Sequence, residues 1–118
     1  MQYLLMIYGN EAGMLAASKE QSTQMLAAYT SYTEALQKAG VLRAAERLRP
    51  TTEATTVRVK DSKTNVLDGP YADTKEQLGG FYLIDVPDLD AALSWAARCP
   101  GASHGTMEVR PIWPMPYE

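Results

Sequence analysis

The chain has 118 residues, of which 46% are apolar and 21% charged, and its formal net charge is -3. That length supports one hydrophobic core, so one domain spanning 1–118 is expected. The acidic balance offers no footprint for nucleic acid, and no apolar run approaches the roughly 20 residues that span a bilayer, so neither nucleic acid nor membrane is an expected partner.

Residues 2–8, QYLLMIY, are continuously apolar and end at Gly9-Asn10, as a central strand with both faces covered would. From Ser18 the period changes. Ser18 and Gln21 form a capping-box signature, and Met25, Tyr29, Tyr32 and Leu36 follow on one helical face. Gly40 ends that helix as a C′ glycine, and a strand from Val41 to Leu48 is closed by Pro50. TTVRVKD and NVLDG flank Ser62-Lys63 as a hairpin, with Val57 and Val59 on one face and Arg58 and Lys60 on the other. Its charges place it at a sheet edge.

GFYLIDV is a second strand apolar on both faces, and Asp88 caps the helix LDAALSWAARC with Leu89, Ala92, Leu93 and Ala96 as its inward stripe. Pro100-Gly101 stops it. GTMEVRPIW is the last strand, with Met107 and Val109 opposite in parity to Thr106, Glu108 and Arg110. The order is a ferredoxin-like βαββαβ unit with an inserted edge β-hairpin, an α+β fold. Two helices cover one sheet face only. Because the first and second-last strands are apolar on both faces, a homodimer covering the other face is expected.

MQYLLMIYG is too short and lacks the basic start of a signal peptide, and the lone Cys99 suits a reducing compartment, so the chain reads as cytoplasmic. Cys99 itself reads as a small buried hydrophobe. One histidine, no second cysteine and no calcium-loop pattern leave no metal site, and no cofactor is expected. Gly79-Gly80 lacks a following helix, so a bulge or close backbone approach is expected rather than a phosphate cradle.

The start MQYLLMIYGNE, the central VLDGPYADTKEQLGGFYLIDVPDLDAALSWAARCP and the end GTMEVRPIW together resemble the DGPF subgroup of the YCII-related family over nearly the whole chain. The signature stands as Asp68-Gly69-Pro70-Tyr71, with Tyr in place of Phe. The resemblance implies a dimeric α+β barrel, a polar pocket between sheet and partner, and genomic proximity to extracytoplasmic-function sigma factors. Some relatives are lyases or dehydrochlorinases using a His-Asp pair, but His104 lies in GASHG, before the last strand, and does not match their helix-associated histidine.

Thr106, Glu108 and Arg110 point to the face a partner must cover, where charges need pairing or a wet cavity. A cleft there is expected to hold Asp73 and Glu108 as catalytic carboxylates. Tyr8, Tyr71, Lys75, Glu76, Thr106 and Arg110 would bind a small anionic or carbonyl-bearing molecule. Three functions fit: a small-molecule binding or sensing module, which the resemblance ties to sigma-factor-dependent stress response; a cofactor-free lyase or isomerase; and a structural interaction protein.

Overall fold

The computed structural model describes residues 1–117. Strand β1 (Gln2–Gly9) runs into Asn10, whose side chain accepts from the Gly13 amide and opens a short helix α1 (Glu11–Leu15) absent from the sequence reading. Helix α2 (Lys19–Lys38) begins with the full Ser18–Gln21 capping box and gives way to Gly40 at φ +72°. The glycine takes this left-handed conformation without the Cβ penalty other residues meet. Strand β2 (Leu42–Arg47), a 3-10 turn (Thr51–Glu53) and the hairpin β3 (Thr55–Lys60) and β4 (Lys63–Asp68) follow. Then come β5 (Gln77–Asp85), α3 (Leu89–Arg98) behind its Asp88 cap, α4 (Gly101–His104) and β6 (Thr106–Pro111).

The main sheet has the order β2-β5-β1-β6, antiparallel throughout. Both long helices pack on one face, which is the ferredoxin-like arrangement. Their core holds Leu5, Leu36 and Ile84 with no exposed surface, together with Tyr3, Tyr32, Tyr82, Ala92, Ala96 and Cys99. Each buried aliphatic side chain there contributes roughly 1.5–3 kcal/mol. The helices are also joined by a polar bond, from the Tyr32 hydroxyl to the Trp95 carbonyl at 2.7 Å. Tyr32 meets the Tyr82 ring edge-on at 5.2 Å, and the Thr33 and Tyr82 hydroxyls share a hydrogen bond of 2.8 Å. Among the described residues no buried side-chain nitrogen or oxygen lacks a hydrogen-bond partner.

Four expectations need correction. Leu89 and Leu93 do not face inward: they are 48% and 47% exposed, while Ala92, Ala96 and Cys99 are buried. Tyr32 packs against the Trp95 flank of α3, and the small alanines seat the helix on the sheet, so the leucine flank is left outside. The hairpin is not an edge of the main sheet but a separate two-stranded sheet paired only with itself. Its turn is Asp61-Ser62, both at positive φ, and Lys63 already belongs to β4. Finally, Pro100-Gly101 does not stop the helical path outright, because residues 101–104 make one further turn that contains the exposed His104.

The chain is thin. Its extents are 48 × 46 × 18 Å and its radius of gyration is 16.3 Å, against about 13.5 Å for a compact chain of this length. Both rims of the main sheet are interrupted: the register shifts between Leu42 and Ala44 in β2, and β6 ends at Pro111, which has no amide hydrogen.

Candidate functional site

Alternation along the strands sorts their residues between two faces. Leu5 and Ile7 oppose Val109 and Met107 on the helix side. The other face carries Leu4, Met6 and Tyr8 from β1, opposite Arg110, Glu108 and Thr106 of β6, with Phe81 and Leu83 of β5 alongside. The parity expected for Thr106, Glu108 and Arg110 is therefore the parity observed. Met6 is only 8% exposed yet lies outside the core cluster. This face is apolar at its centre, and the two long helices lie on the opposite side.

At one end of this face the chain gathers its polar groups. The Thr106 hydroxyl donates to Glu76 Oε1 at 2.7 Å, which brings the end of the 69–76 loop onto the sheet. Tyr8 sits directly across the ladder from Thr106. Gln77 donates to the Thr74 carbonyl at 2.6 Å, and the Thr74 hydroxyl donates to the Glu76 carbonyl, so the loop closes on itself before entering β5. Gln77 Oε1 also accepts from the Glu11 amide at 3.0 Å, and the Glu11 carboxylate accepts from both the amide and the hydroxyl of Thr51 at 2.6 Å. Glu11 escaped sequence reasoning because its partner lies forty positions away; the Asn10 cap was the one local sign of the helix that positions it.

Along β6, Arg110 donates to Glu108 at 2.6 Å, an ion pair on the same open face. The Tyr8 hydroxyl lies 4.0 Å from the Met6 sulfur, and its ring is half-buried. Tyr71 is 83% exposed, and Tyr71, Asp73 and Lys75 make no hydrogen bond or ion pair among the described residues. The structure thus brings together Tyr8, Glu76 and Thr106, and separately Glu108 and Arg110. It does not bring Asp73 into contact with Glu108.

The turn residues of the loop have backbone duties. Gly69 is at φ +104°, its amide donates to the Ala54 carbonyl at 2.7 Å, and its carbonyl accepts from Thr56 at 2.7 Å. Gly79 is the extra residue where the β1–β5 register shifts, and a Cβ on Gly80 would stand 2.8 Å from the Glu46 carbonyl oxygen. Bulge and close approach are both present.

Two other groups of reactive type are held inert. Burial pushes the Tyr29 and Tyr32 hydroxyls well above the usual tyrosine range, and raises that of Tyr82 against the opposing effect of its hydrogen bond with Thr33. Burial likewise pushes the Cys99 thiol up, against the opposing effect of hydrogen bonds from Gly101 and Tyr29. Neither makes a nucleophile. No cluster of three or more metal-ligating side chains occurs among the described residues. Two shallow depressions, of about 360 Å³ along α2 from Leu26 to Gln37 and about 260 Å³ between Met1, Gln2, Asp85, Ile112 and Pro114, lie apart from the Tyr8–Glu76–Thr106 group. That group needs a further wall to become a pocket.

A four-stranded antiparallel sheet with its helices on one face and a polar-rimmed apolar surface on the other defines a ferredoxin-like α+β protein. The YCII-related domain model matches residues 1–116, and the chain belongs to that family. An uncharacterised protein of Rhizobium meliloti is 42% identical over 114 residues, covering 95% of this chain and 92% of that protein. Among solved structures, 5-chloro-2-hydroxyhydroquinone dehydrochlorinase of Burkholderia phenoliruptrix, in complex with 2,5-dihydroxybenzoquinone, superposes with a TM-score of 0.55 at 15% identity. The match covers 96% of this chain and 94% of that one. At that identity the likeness establishes the fold alone. No helix of the described residues is long and apolar enough to cross a membrane.

Proposed function

We propose that this chain, as a member of the DGPF subgroup, binds a small anionic or carbonyl-bearing molecule in a cleft that forms when a second copy covers the open sheet face. The observation that carries this reading is the face itself: an apolar floor of Leu4, Met6, Phe81 and Leu83 with Tyr8, the Glu76–Thr106 pair and the Glu108–Arg110 pair around it. Such a combination suits a ligand with a flat apolar body and oxygen at its rim. Arg110 would hold the anionic or carbonyl oxygen, Thr106 and Tyr8 would supply hydroxyls, and Tyr71, Asp73 and Lys75 would close over the mouth on the loop. The structural neighbour carrying a dihydroxybenzoquinone adds support for that ligand class. The link to sigma-factor-dependent stress response rests on the subgroup resemblance alone.

The test is calorimetric titration with 2,5-dihydroxybenzoquinone and a panel of small enols, lactones and hydroxy acids. Arg110→Gln and Thr106→Val should each weaken binding of the best ligand about tenfold, the loss of roughly one hydrogen bond. No binding by any compound, or binding indifferent to both substitutions, would overturn the reading. Conversion of a ligand to product, abolished by Glu108→Gln or Asp73→Asn, would move the conclusion to a cofactor-free lyase or isomerase.

A further inference from the structure

Hairpin β3–β4 buries almost nothing on its own chain. All of β4 is exposed, as is all of β3 except the half-buried Thr56. A lone two-stranded ribbon is marginal in water. The register Val57↔Val66 and Val59↔Thr64 gathers the three valines on one side, at 59–67% exposure, and puts Arg58, Lys60 and Lys63 with the exposed Leu67 on the other. None of the three cations has an ion-pair partner among the described residues, and Lys60 faces Lys63 across the ladder, where like charges repel. Counted with Asp61 and Asp68, the hairpin carries a charge of +1 in a chain of net charge -3.

The sheet has a surface of matching character. On the β2–β5 half of the open face, Phe81 and Leu83 lie beside Ala44 and Glu46, an exposed carboxylate with no partner among the described residues. The whole chain exposes 8646 Å², roughly 2,300 Å² more than the about 6,300 Å² expected of a compact 13.0 kDa protein. That excess is well above the roughly 800 Å² per partner that a stable interface requires. An arm with an exposed valine side and a sheet half with a partly exposed apolar centre of Phe81 and Leu83 occur on one molecule. A two-fold axis satisfies both at once.

We propose that the hairpin is an exchanged arm. In a dimer of this chain its Val57, Val59 and Val66 side covers Phe81 and Leu83 of the partner subunit. Each arm then walls one side of a cleft and leaves the β1–β6 half, with Tyr8, Thr106, Glu108 and Arg110, open to ligand. The inference rests on the dimer in the functional reading but not on any ligand being bound.

The experiment exploits the burial of Cys99, the chain's only cysteine, which leaves introduced thiols as the reactive ones. Chains carrying Val59→Cys are mixed with tagged chains carrying Leu83→Cys and treated with a short bismaleimide, and the product is a covalent heterodimer of summed mass. In parallel, Val59→Glu raises the dimer dissociation constant at least tenfold by sedimentation, while Leu93→Glu on the opposite layer leaves it unchanged; circular dichroism verifies that both variants fold. A dimer that gives no heterodimer adduct and ignores Val59→Glu overturns the arm and spares the dimer. A wild-type chain that stays monomeric at micromolar concentration overturns both. An intrachain adduct in a monomeric Val59→Cys/Leu83→Cys double variant shows the arm folding onto its own sheet, and binding of the monomer to anionic vesicles shows a lipid partner; either result also refutes the proposal.

Discussion

Replacing Gly80 by alanine tests how β5 is held between its neighbours. The new Cβ would sit 2.8 Å from the Glu46 carbonyl oxygen, 3.4 Å from the Arg47 Cα and 3.7 Å from the Glu46 carbonyl carbon, all backbone atoms of β2. No side chain can rotate aside to relieve the contact. The strands must separate locally, which weakens the Arg47↔Gly80 end of the ladder and the 2.8 Å bond from the Leu48 amide to the Gly79 carbonyl. Overpacking of this kind costs about 1–3 kcal/mol, and the rigidity of the opposing backbone places the expected value near 2 kcal/mol. At roughly 3–6 °C per kcal/mol for a chain of this size, Tm should fall by about 6–12 °C. Gly79 is the internal control, because its nearest neighbour to a built Cβ is the Ile7 carbonyl oxygen at 3.9 Å, and its φ is not positive. Gly79→Ala should leave Tm unchanged or raise it slightly, since glycine inside a strand costs about 0.5–1 kcal/mol relative to alanine. Differential scanning calorimetry on both variants decides the matter. Equal losses, or a Gly80→Ala protein within 1 °C of wild type on the ~6–12 °C scale just given, would refute the account.

Alkaline unfolding follows from the buried hydroxyls. Tyr29 and Tyr32 have folded-state pKa values raised above their unfolded ones, so their contribution is fully present below the unfolded value near 10 and is lost as pH rises beyond it. Phenolate absorbance should therefore appear in two stages, exposed tyrosines first and the buried ones together with loss of circular dichroism; full titration with the fold intact would contradict this. Substituting Glu11 by alanine removes both acceptors for Thr51 and should cost about 2 kcal/mol. The loss should be local, visible as faster amide exchange in residues 48–56, and uniform exchange across the sheet would contradict the latch.

The legible parts of the fold were those written in local pattern. Ser18 and Gln21 sit three residues apart, and their capping box needs no distant partner to form. The open-face parity of Thr106, Glu108 and Arg110 followed from strand alternation, and the hairpin was visible from its two β-branched runs. What those patterns cannot carry is docking. The same charged strands are compatible with a sheet edge or with a free ribbon, and only the three-dimensional path after Pro50 decides between them. Leu89 and Leu93 look like core on a helical wheel; the bulk of Trp95 and the reach of Tyr32 set the helix rotation instead. Within the candidate site, Glu76 is among the residues the sequence places in the cleft, and it is the loop residue that touches the sheet. Glu11 and Gln77 were missed, because a carboxylate paired forty positions away leaves no periodic trace.

The interrupted rims of the sheet have a bearing on how copies of this chain can add to one another. A register shift in β2 and a proline closing β6 deprive both outer ladders of a clean run of free amides and carbonyls. Strand-by-strand extension into fibrils is therefore discouraged at either end, even though the broad surface of the same sheet is apolar. Growth from an edge would have no limit, whereas an association through the face would end once the available area is occupied.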